Sequence, residues 1–347
     1  MADALLAELR DLGVEVREDD SAVAARAASG NLIATVPGRG EGWVSFFAHM
    51  DTVPHDGPVE VVEEDGVYRS RGETILGADN KAAVTVLMEL AARHCGSPAA
   101  AGLELVFTPA EEDGLRGAKE VDHAALRAPF GFVLDHASPI GEVIVAAPTH
   151  KHVTATFTGT EAHAGIRPED GSSAIEAGAA AVAAMELGRL DDETTANLGV
   201  IEGGTASNVV AGSCSLVGEA RSIDGERAAA VIGAMVDACT WAAGEGNCDL
   251  DFEVTEKFRG YRIDPDSAAL RVGSEALRRR GHEPSRIVSG GGSDANALLA
   301  NGYEALLLAN GTEANHTADE SVTASAMVEM LAVCEAAIEL AGEAPAG

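Results

Sequence analysis

The chain has 347 residues, of which 56 are acidic and 24 basic, so its formal charge at neutral pH is −32. A negative charge of this size disfavours nucleic acid and anionic lipid surfaces as partners, because both would repel the protein. Five scattered cysteines without a CxxC pair argue against a disulfide framework, and no apolar run is long enough to span a membrane. With no signal peptide apparent at the amino terminus, we expect a cytoplasmic protein.

The first part of the chain alternates predicted strands with predicted helices. After a predicted surface hairpin at 58–70, residues 80–95 carry apolar positions at helical spacing. Residues 103–108 and 131–135 are apolar runs of strand length, and we expect a helix around 114–127 between them. This alternation predicts an α/β fold with a mixed, largely parallel sheet flanked by helices.

The pattern changes near residue 150. Residues 152–159 alternate polar and apolar positions, as a half-exposed strand does. An Ala-rich helix is predicted at 172–189 and a second helix at 225–243, with two strands between them and one after. The order β-α-β-β-α-β is that of a split βαβ sandwich, an α+β arrangement with an antiparallel sheet.

The α/β pattern resumes after residue 258 and continues to a predicted final helix at 321–341. We therefore predict a discontinuous first domain formed by residues 1–148 and 258–347. The second domain, residues 149–257, is predicted to be inserted within it.

Five short segments place acidic and histidine side chains after predicted strands or before a predicted helix. They are FFAHMDTVP with His49 and Asp51, GADNK with Asp79, TPAEED with Glu111 and Glu112, VLDH with Asp135, and EANH with His316. Ligands in open α/β sheets bind outside the carboxyl ends of the strands. These side chains, although distant in sequence, are therefore expected to converge.

Histidine and carboxylate ligands without cysteine suit Zn²⁺, Co²⁺ or Mn²⁺. In two-metal hydrolases one carboxylate commonly bridges the ions, and consecutive glutamates allow one to bind metal while the other moves protons. Taken singly, each residue also has a simpler interpretation. Asp79 could cap a helix, Glu111 and Glu112 could be charges at a helix start, and His316 could be a solvated loop residue. Together the segments favour a metal site.

These motifs resemble those of the co-catalytic zinc peptidases, the metallohydrolase family that contains peptidase T, carboxypeptidase G and the aminoacylases. HMDTVP and AHAG are most similar to peptidase T-like proteins. The resemblance covers nearly the whole chain. It implies a zinc catalytic domain and an inserted ferredoxin-like domain that serves as lid or dimerisation domain.

The resemblance also implies roles for individual residues. His49 and Asp135 would bind one ion, Glu112 and His316 would bind the other, and Asp79 would bridge the two. In the same scheme Asp51 would hold the imidazole of His49, and Glu111 would be the general base.

The inserted domain contributes three further candidates by the same resemblance. His163 in GTEAHAG matches a histidine that supports the oxyanion, often across a subunit interface. Asn208 resembles a substrate-contacting asparagine, and Arg221 resembles an arginine that clamps a substrate carboxylate. Their alternative interpretations are a satisfied loop histidine, a turn residue and a surface ion pair.

The sequence thus predicts a two-metal hydrolase that cleaves short peptides in the manner of an aminopeptidase or tripeptidase. The resemblance implies a homodimer formed through the inserted domain. Two alternatives stay open: an amidohydrolase that deacylates N-acyl amino acids, and a catalytically inactive peptide-binding relative. The presence of Glu111 and of every expected ligand disfavours the inactive relative.

Overall fold

The computed structural model describes residues 1–343. The chain separates into two compact units. The first comprises Met1–Ala146, Arg262–Ser289 and the chain from Ser293 onward, and the second comprises Ala147–Tyr261 with Gly290–Gly292. Among the described residues, no helix is long and apolar enough to cross a membrane.

The elements follow one another in three stretches of chain. The first stretch contains α1 (Ala2–Asp11), β1 (Glu15–Glu18), β2 (Leu32–Val36), β3 (Trp43–His49), β4 (Val61–Glu64), β5 (Val67–Ser70), α2 (Ala78–His94), β6 (Gly102–Thr108), α3 (Arg116–Lys119), β7 (Phe130–His136) and β8 (Glu142–Ala147). The second contains β9 (Thr149–Thr158), α4 (Ala174–Ala184), β10 (Gly188–Asp191), β11 (Thr194–Gly203), β12 (Ser213–Ser222), α5 (Gly225–Glu245) and β13 (Asp249–Phe258). The third contains β14 (Tyr261–Arg262), α6 (Ala268–Arg279), β15 (Ser285–Val288), α7 (Asp294–Ala300), β16 (Glu304–Ala309), β17 (Thr312–Glu313), β18 (Ser321–Thr323) and α8 (Ala324–Glu343).

The main sheet of the first unit has parallel strands at its centre. Its strands run in the order β1-β2-β6-β3-β7-β16-β8, and β15 pairs with β8. β3 is parallel to both β6 and β7, and β16 is parallel to β7, whereas β2 is antiparallel to β6. Every residue of β6 is buried, as expected for a strand with both faces covered. The predicted α/β class with a mixed, largely parallel sheet is confirmed.

Apolar side chains of this sheet and of the helices packed against it form a large core in the first unit. Phe46, Phe107 and Phe132 are fully buried there, together with residues of α2 and α8. Burying a large apolar side chain contributes about 1.5–3 kcal/mol, so this core holds the strand ends rigidly. A rigid frame of this kind can fix polar side chains that follow the strands.

The second unit contains an antiparallel sheet of five strands in the order β10-β11-β12-β9-β13. α4 and α5 pack on this sheet through small and apolar residues such as Ala181, Cys214 and Cys239. The strands and helices occur in the predicted β-α-β-β-α-β order, with β10 as an addition. The helix predicted at 172–189 ends earlier, at Ala184, and β10 occupies its expected last residues.

The helix predicted around 114–127 is wrong. α3 is a single turn, and a short 3₁₀ turn follows at His123–Ala125. Gly114 has φ +89° and Leu115 has φ +61°, values outside the right-handed helical region. These two residues cannot form the first turn of the predicted helix, and Asp122, with ψ 87°, and Leu126, with ψ 142°, interrupt it further on. The predicted final helix also begins later, because 321–323 form β18 before α8 starts.

Candidate metal centre

The carboxyl ends of neighbouring parallel strands bring the first predicted ligands together. His49 is the last residue of β3 and lies opposite Thr108, the last residue of β6. Glu111 and Glu112 follow β6 directly, and Asp135 is the next-to-last residue of β7. Because β6, β3 and β7 are adjacent and parallel, all of these side chains emerge at one edge of the sheet.

Asp79 lies between two histidines. Its Oδ1 is 3.0 Å from Nε2 of His49, and its Oδ2 is 3.0 Å from Nε2 of His316. Nε2 of His49 also lies 3.4 Å from Oδ1 of Asp135, and Nε2 of His316 lies 3.1 Å from Oε1 of Glu112. The side chains thus form two groups, and the two oxygens of Asp79 face one group each.

The donor set fits divalent cations. His49, Asp79 and Glu112 each offer a ligand atom, and these atoms lie within 4.8 Å of one another. The same holds for His49, Glu111 and Asp135. Imidazole nitrogen and carboxylate oxygen are the ligands that zinc, cobalt and manganese accept, and a carboxylate with one oxygen toward each group has the geometry of a bridge.

The charges of this cluster are strongly coupled. Burial by itself lowers the pKa of His49, but Asp135, Asp51 and Asp79 outweigh it and hold that pKa well above its usual value. Hydrogen bonds to Asp79 and Glu112 raise the pKa of His316 to about 10. The excess of carboxylates therefore draws protons onto both imidazoles, and bound cations would neutralise the same charge.

Burial acts in the opposite direction on the acids. Burial raises the pKa of Asp135 to about 8. The charge of His49 lowers this pKa, and the charge of Asp79 raises it further. Burial, followed by the charge of Asp135, also raises the pKa of Glu111 well above its usual value. For Asp79, burial raises the pKa, but hydrogen bonds from His316 and His49 outweigh it and the net pKa is lowered.

Asp51 contacts the backbone of both glutamates as well as the imidazole of His49, the partner predicted for it from the sequence. Its Oδ1 accepts a hydrogen bond from the backbone N–H of Glu111 at 3.0 Å, and its Oδ2 accepts one from Glu112 at 3.1 Å. Its Oδ1 is 3.6 Å from Nδ1 of His49, whose nearer partner is the Asp51 carbonyl oxygen at 3.2 Å. One carboxylate therefore fixes the backbone that carries both glutamates.

Sequence reasoning missed three residues that support the cluster. Nζ of Lys81 donates to the carbonyl oxygens of Met50 and Asp51 at 2.8 and 3.1 Å. Nδ2 of Asn80 donates to Oδ1 of Asp135 at 3.1 Å. Both belong to the GADNK segment, so the motif contained a signal for them. The third, Glu320, accepts hydrogen bonds from the segment that precedes Asp79, and no motif pointed to it.

A cavity of about 930 Å³ in the first unit adjoins the cluster. Asp51 and Glu112 line it, together with small residues and the side chains of Arg26 and Arg116. Arg116 forms an ion pair with Asp113 at 2.8 Å. Ligand sites in proteins commonly enclose about 300–1,000 Å³, so the cavity is large enough for a short peptide.

The three remaining candidates belong to the second unit. His163 and Asn208 are exposed neighbours, because the N–H of Ala164 donates to the carbonyl oxygen of Asn208 at 3.0 Å. Arg221, on β12, donates from Nε to Oε1 of Glu219 at 3.1 Å and from Nη2 to Oε2 at 3.4 Å. Its Nη1 donates to the carbonyl oxygen of Gly290 at 3.2 Å.

Comparison with known proteins gives a consistent result. The model of peptidase family M20/M25/M40 matches residues 46–340. Protein YqjE of Bacillus subtilis is 37% identical, over 96% of this chain and 90% of its own length. The crystal structure of aminopeptidase PepT from Bacillus cereus superposes with a TM-score of 0.88 and 37% identity, covering 99% of this chain and 92% of that one. A tripeptidase from Staphylococcus aureus gives a TM-score of 0.92 and 32% identity with the same coverage.

Proposed function

The chain belongs to peptidase family M20/M25/M40, and we propose on that premise that it is a two-metal hydrolase that removes residues from the amino-terminal end of short peptides. The observation that carries the proposal is Asp79, whose two oxygens each lie 3.0 Å from a different histidine. The similarity to an aminopeptidase and a tripeptidase supports the choice of substrate.

The ligand assignment follows the two groups of side chains. His49 and Asp135 would hold one ion, Glu112 and His316 the other, and Asp79 would bridge them. Zinc is the proposed metal, with cobalt and manganese as alternatives that accept the same ligands. Two such ions, when bound, supply a more acidic water molecule and polarise the peptide carbonyl.

Glu111 is proposed as the general base. It is buried, and an oxygen of its carboxylate lies within 4.8 Å of ligand atoms of His49 and Asp135, next to the proposed metal site. The backbone N–H of Glu111 is held by Asp51, which limits the positions that its side chain can reach. Glu111 would take a proton from the attacking water and pass it to the amine that leaves.

Arg221 is proposed to bind the carboxylate of the substrate. The contacts with Glu219 use the side edge of its guanidinium group, and Gly290 uses one N–H of Nη1. A guanidinium group has five N–H donors, and the bonds to Glu219 and Gly290 use three of them. The planar arrangement of these donors suits the two oxygens of a carboxylate. His163 and Asn208 are proposed to contact the substrate as well, with His163 near the oxyanion.

The proposal includes a homodimer formed through the second unit. β13 lies at the edge of its sheet, and on its surface Phe252 and Val254 are 49% and 42% exposed. An edge strand that exposes apolar side chains favours pairing with another strand. Sedimentation should give a dimer for the wild type and a monomer for Val254→Lys. A wild-type monomer with full activity would contradict this part of the proposal.

A cytoplasmic location is also proposed. The five cysteines, all within residues 1–343, are free thiols, and Cys214, Cys239 and Cys334 are buried. Unpaired cysteines are typical of a reducing compartment.

A substrate panel tests the proposed reaction. Zinc-loaded protein is incubated with free di- and tripeptides, with the same peptides acetylated at the amino terminus, and with N-acetyl amino acids. Release of the amino-terminal residue from the free peptides alone is the expected result. Turnover of only the N-acetyl amino acids would favour the deacylase alternative. Binding of peptides without turnover of any substrate would favour the inactive relative.

A further inference from the structure

Glu320 is a buried carboxylate that has no partner of opposite charge within hydrogen-bonding distance among residues 1–343. It is 1% exposed. Its Oε2 accepts hydrogen bonds from the backbone N–H groups of Leu76 and Gly77, and its Oε1 accepts one from that of Asp79, each at 2.8 Å. A carboxylate stays buried when hydrogen bonds satisfy it, and bonds to an ionised acceptor are about twice as strong as neutral ones.

The three donors lie where α2 begins. Gly77 precedes the first residue of the helix, and Asp79, with ψ 100°, departs from helical geometry, so these N–H groups need acceptors outside the helix. Glu320 therefore fixes the backbone of the segment that ends at Asp79.

The position of Glu320 in the chain gives this contact a second consequence. Glu320 lies four residues after His316, in the connection between β17 and β18. His316 has φ +66°, a left-handed conformation that costs free energy in a residue other than glycine. The hydrogen bonds of Glu320, four residues away, help to hold His316 in that conformation. The same side chain thus ties the segment of His316 to the segment of Asp79.

We propose that Glu320 is a positioning residue that holds Asp79 and His316 in register with each other, so that both oxygens of Asp79 can serve metal ions at once. Glu320 is not itself proposed as a ligand, because both its oxygens are directed at backbone N–H groups. The inference rests on the proposed two-metal site. It concerns how tightly and in what geometry the metals bind, and does not depend on the identity of the substrate.

Glu320→Gln is the direct perturbation. The carboxamide keeps the size of the side chain but replaces one acceptor oxygen with an N–H₂ group. At least one of the three backbone N–H groups then faces a donor. Loss of a group that orients a metal ligand typically lowers metal affinity about 10- to 100-fold. Asp319→Asn, an exposed neighbour with the same chemical change, is the matched control.

The experiment measures Co²⁺ binding to the full, metal-free chain by calorimetry and by the visible absorption of the bound metal. Glu320→Gln should bind at least one ion about 10- to 100-fold more weakly and give an altered spectrum, with Asp319→Asn within about twofold of wild type. Glu320→Asp, which retains the charge, should recover part of the affinity. A substitution that only weakened the fold would leave the absorption spectrum of bound Co²⁺ unchanged once the protein is saturated with the metal. Folded Glu320→Gln with wild-type affinity and spectrum would overturn the proposal.

A measurement on the wild type covers the case in which the variants do not fold. Hydrogen exchange is followed on the metal-free protein, where the N–H groups of Leu76, Gly77 and Asp79 should exchange slowly. Exchange as fast as that of the exposed turn between β4 and β5 would overturn the proposal. Failure of the wild type to bind Co²⁺ would instead refute the two-metal site itself, so the two failures can be told apart.

Discussion

Asp51→Asn tests how the cluster holds its two glutamates. The carboxylate of Asp51 accepts the N–H groups of Glu111 and Glu112 at 3.0 and 3.1 Å. Asparagine can accept only one of them, and its N–H₂ group faces the other. A hydrogen bond to a charged acceptor contributes about 1.5–3 kcal/mol, so we expect a loss of that order, shared between fold stability and metal affinity.

The effect on metal affinity can be estimated separately. Groups that orient metal ligands typically contribute 10- to 100-fold in affinity, which corresponds to about 1.4–2.7 kcal/mol. Zinc affinity is measured by competition with a chelator, and the free energy of unfolding is measured in urea on metal-free protein. Asp56→Asn, an exposed residue of the same loop, is the control. If Asp51→Asn bound zinc within twofold of wild type and unfolded at the same urea concentration, the proposed role of this carboxylate would be refuted.

Three further predictions concern the reaction. Glu111→Gln should bind metal normally and lower kcat by about 10²- to 10⁴-fold, and undiminished turnover would remove Glu111 as the base. Arg221→Lys should raise KM for a free tripeptide but not for the same tripeptide amidated at its carboxyl end; equal effects on both would show that Arg221 does not bind the carboxylate. Removal of metal with a chelator should abolish hydrolysis and lower Tm, and added Zn²⁺ should restore both, because an ion that binds only the folded state stabilises it. Activity that survives complete metal removal would contradict the mechanism.

The convergence of the candidate ligands could be predicted for a physical reason. His49, Glu112 and Asp135 lie at or just after the ends of largely apolar strands, and such strands are recognisable and parallel in this class of fold. The carboxyl ends of parallel strands meet at one edge, so recognising the strands is enough to predict that the side chains converge.

The helix predicted around 114–127 failed because the backbone leaves the right-handed helical region at several positions within it. Gly114 and Leu115 both have positive φ, and a single sequence gives no sign that leucine will adopt such a conformation. The segment also packs closely against the chain before it, because a Cβ on Gly117 would lie 2.4 Å from the carbonyl oxygen of Pro109. Close approach of this kind depends on the folded arrangement and leaves no periodic pattern in the sequence.

Glu320 could not have been predicted for a related reason. Its partners are backbone N–H groups more than 240 positions earlier in the chain, and every residue except proline has such a group. No residue type at the donor positions marks the contact. Arg221 was identified as a candidate, yet its bonds to Glu219 and Gly290 became apparent only in the folded second unit.

We propose that Asp79 bridges two metal ions, one held by His49 and Asp135 and the other by Glu112 and His316. Anomalous diffraction from crystals of the zinc-loaded protein, recorded on both sides of the zinc absorption edge, tests it most directly. Two anomalous peaks about 3.5–4 Å apart are expected, one beside each oxygen of Asp79. A single peak, or zinc bound away from Asp79, would contradict it.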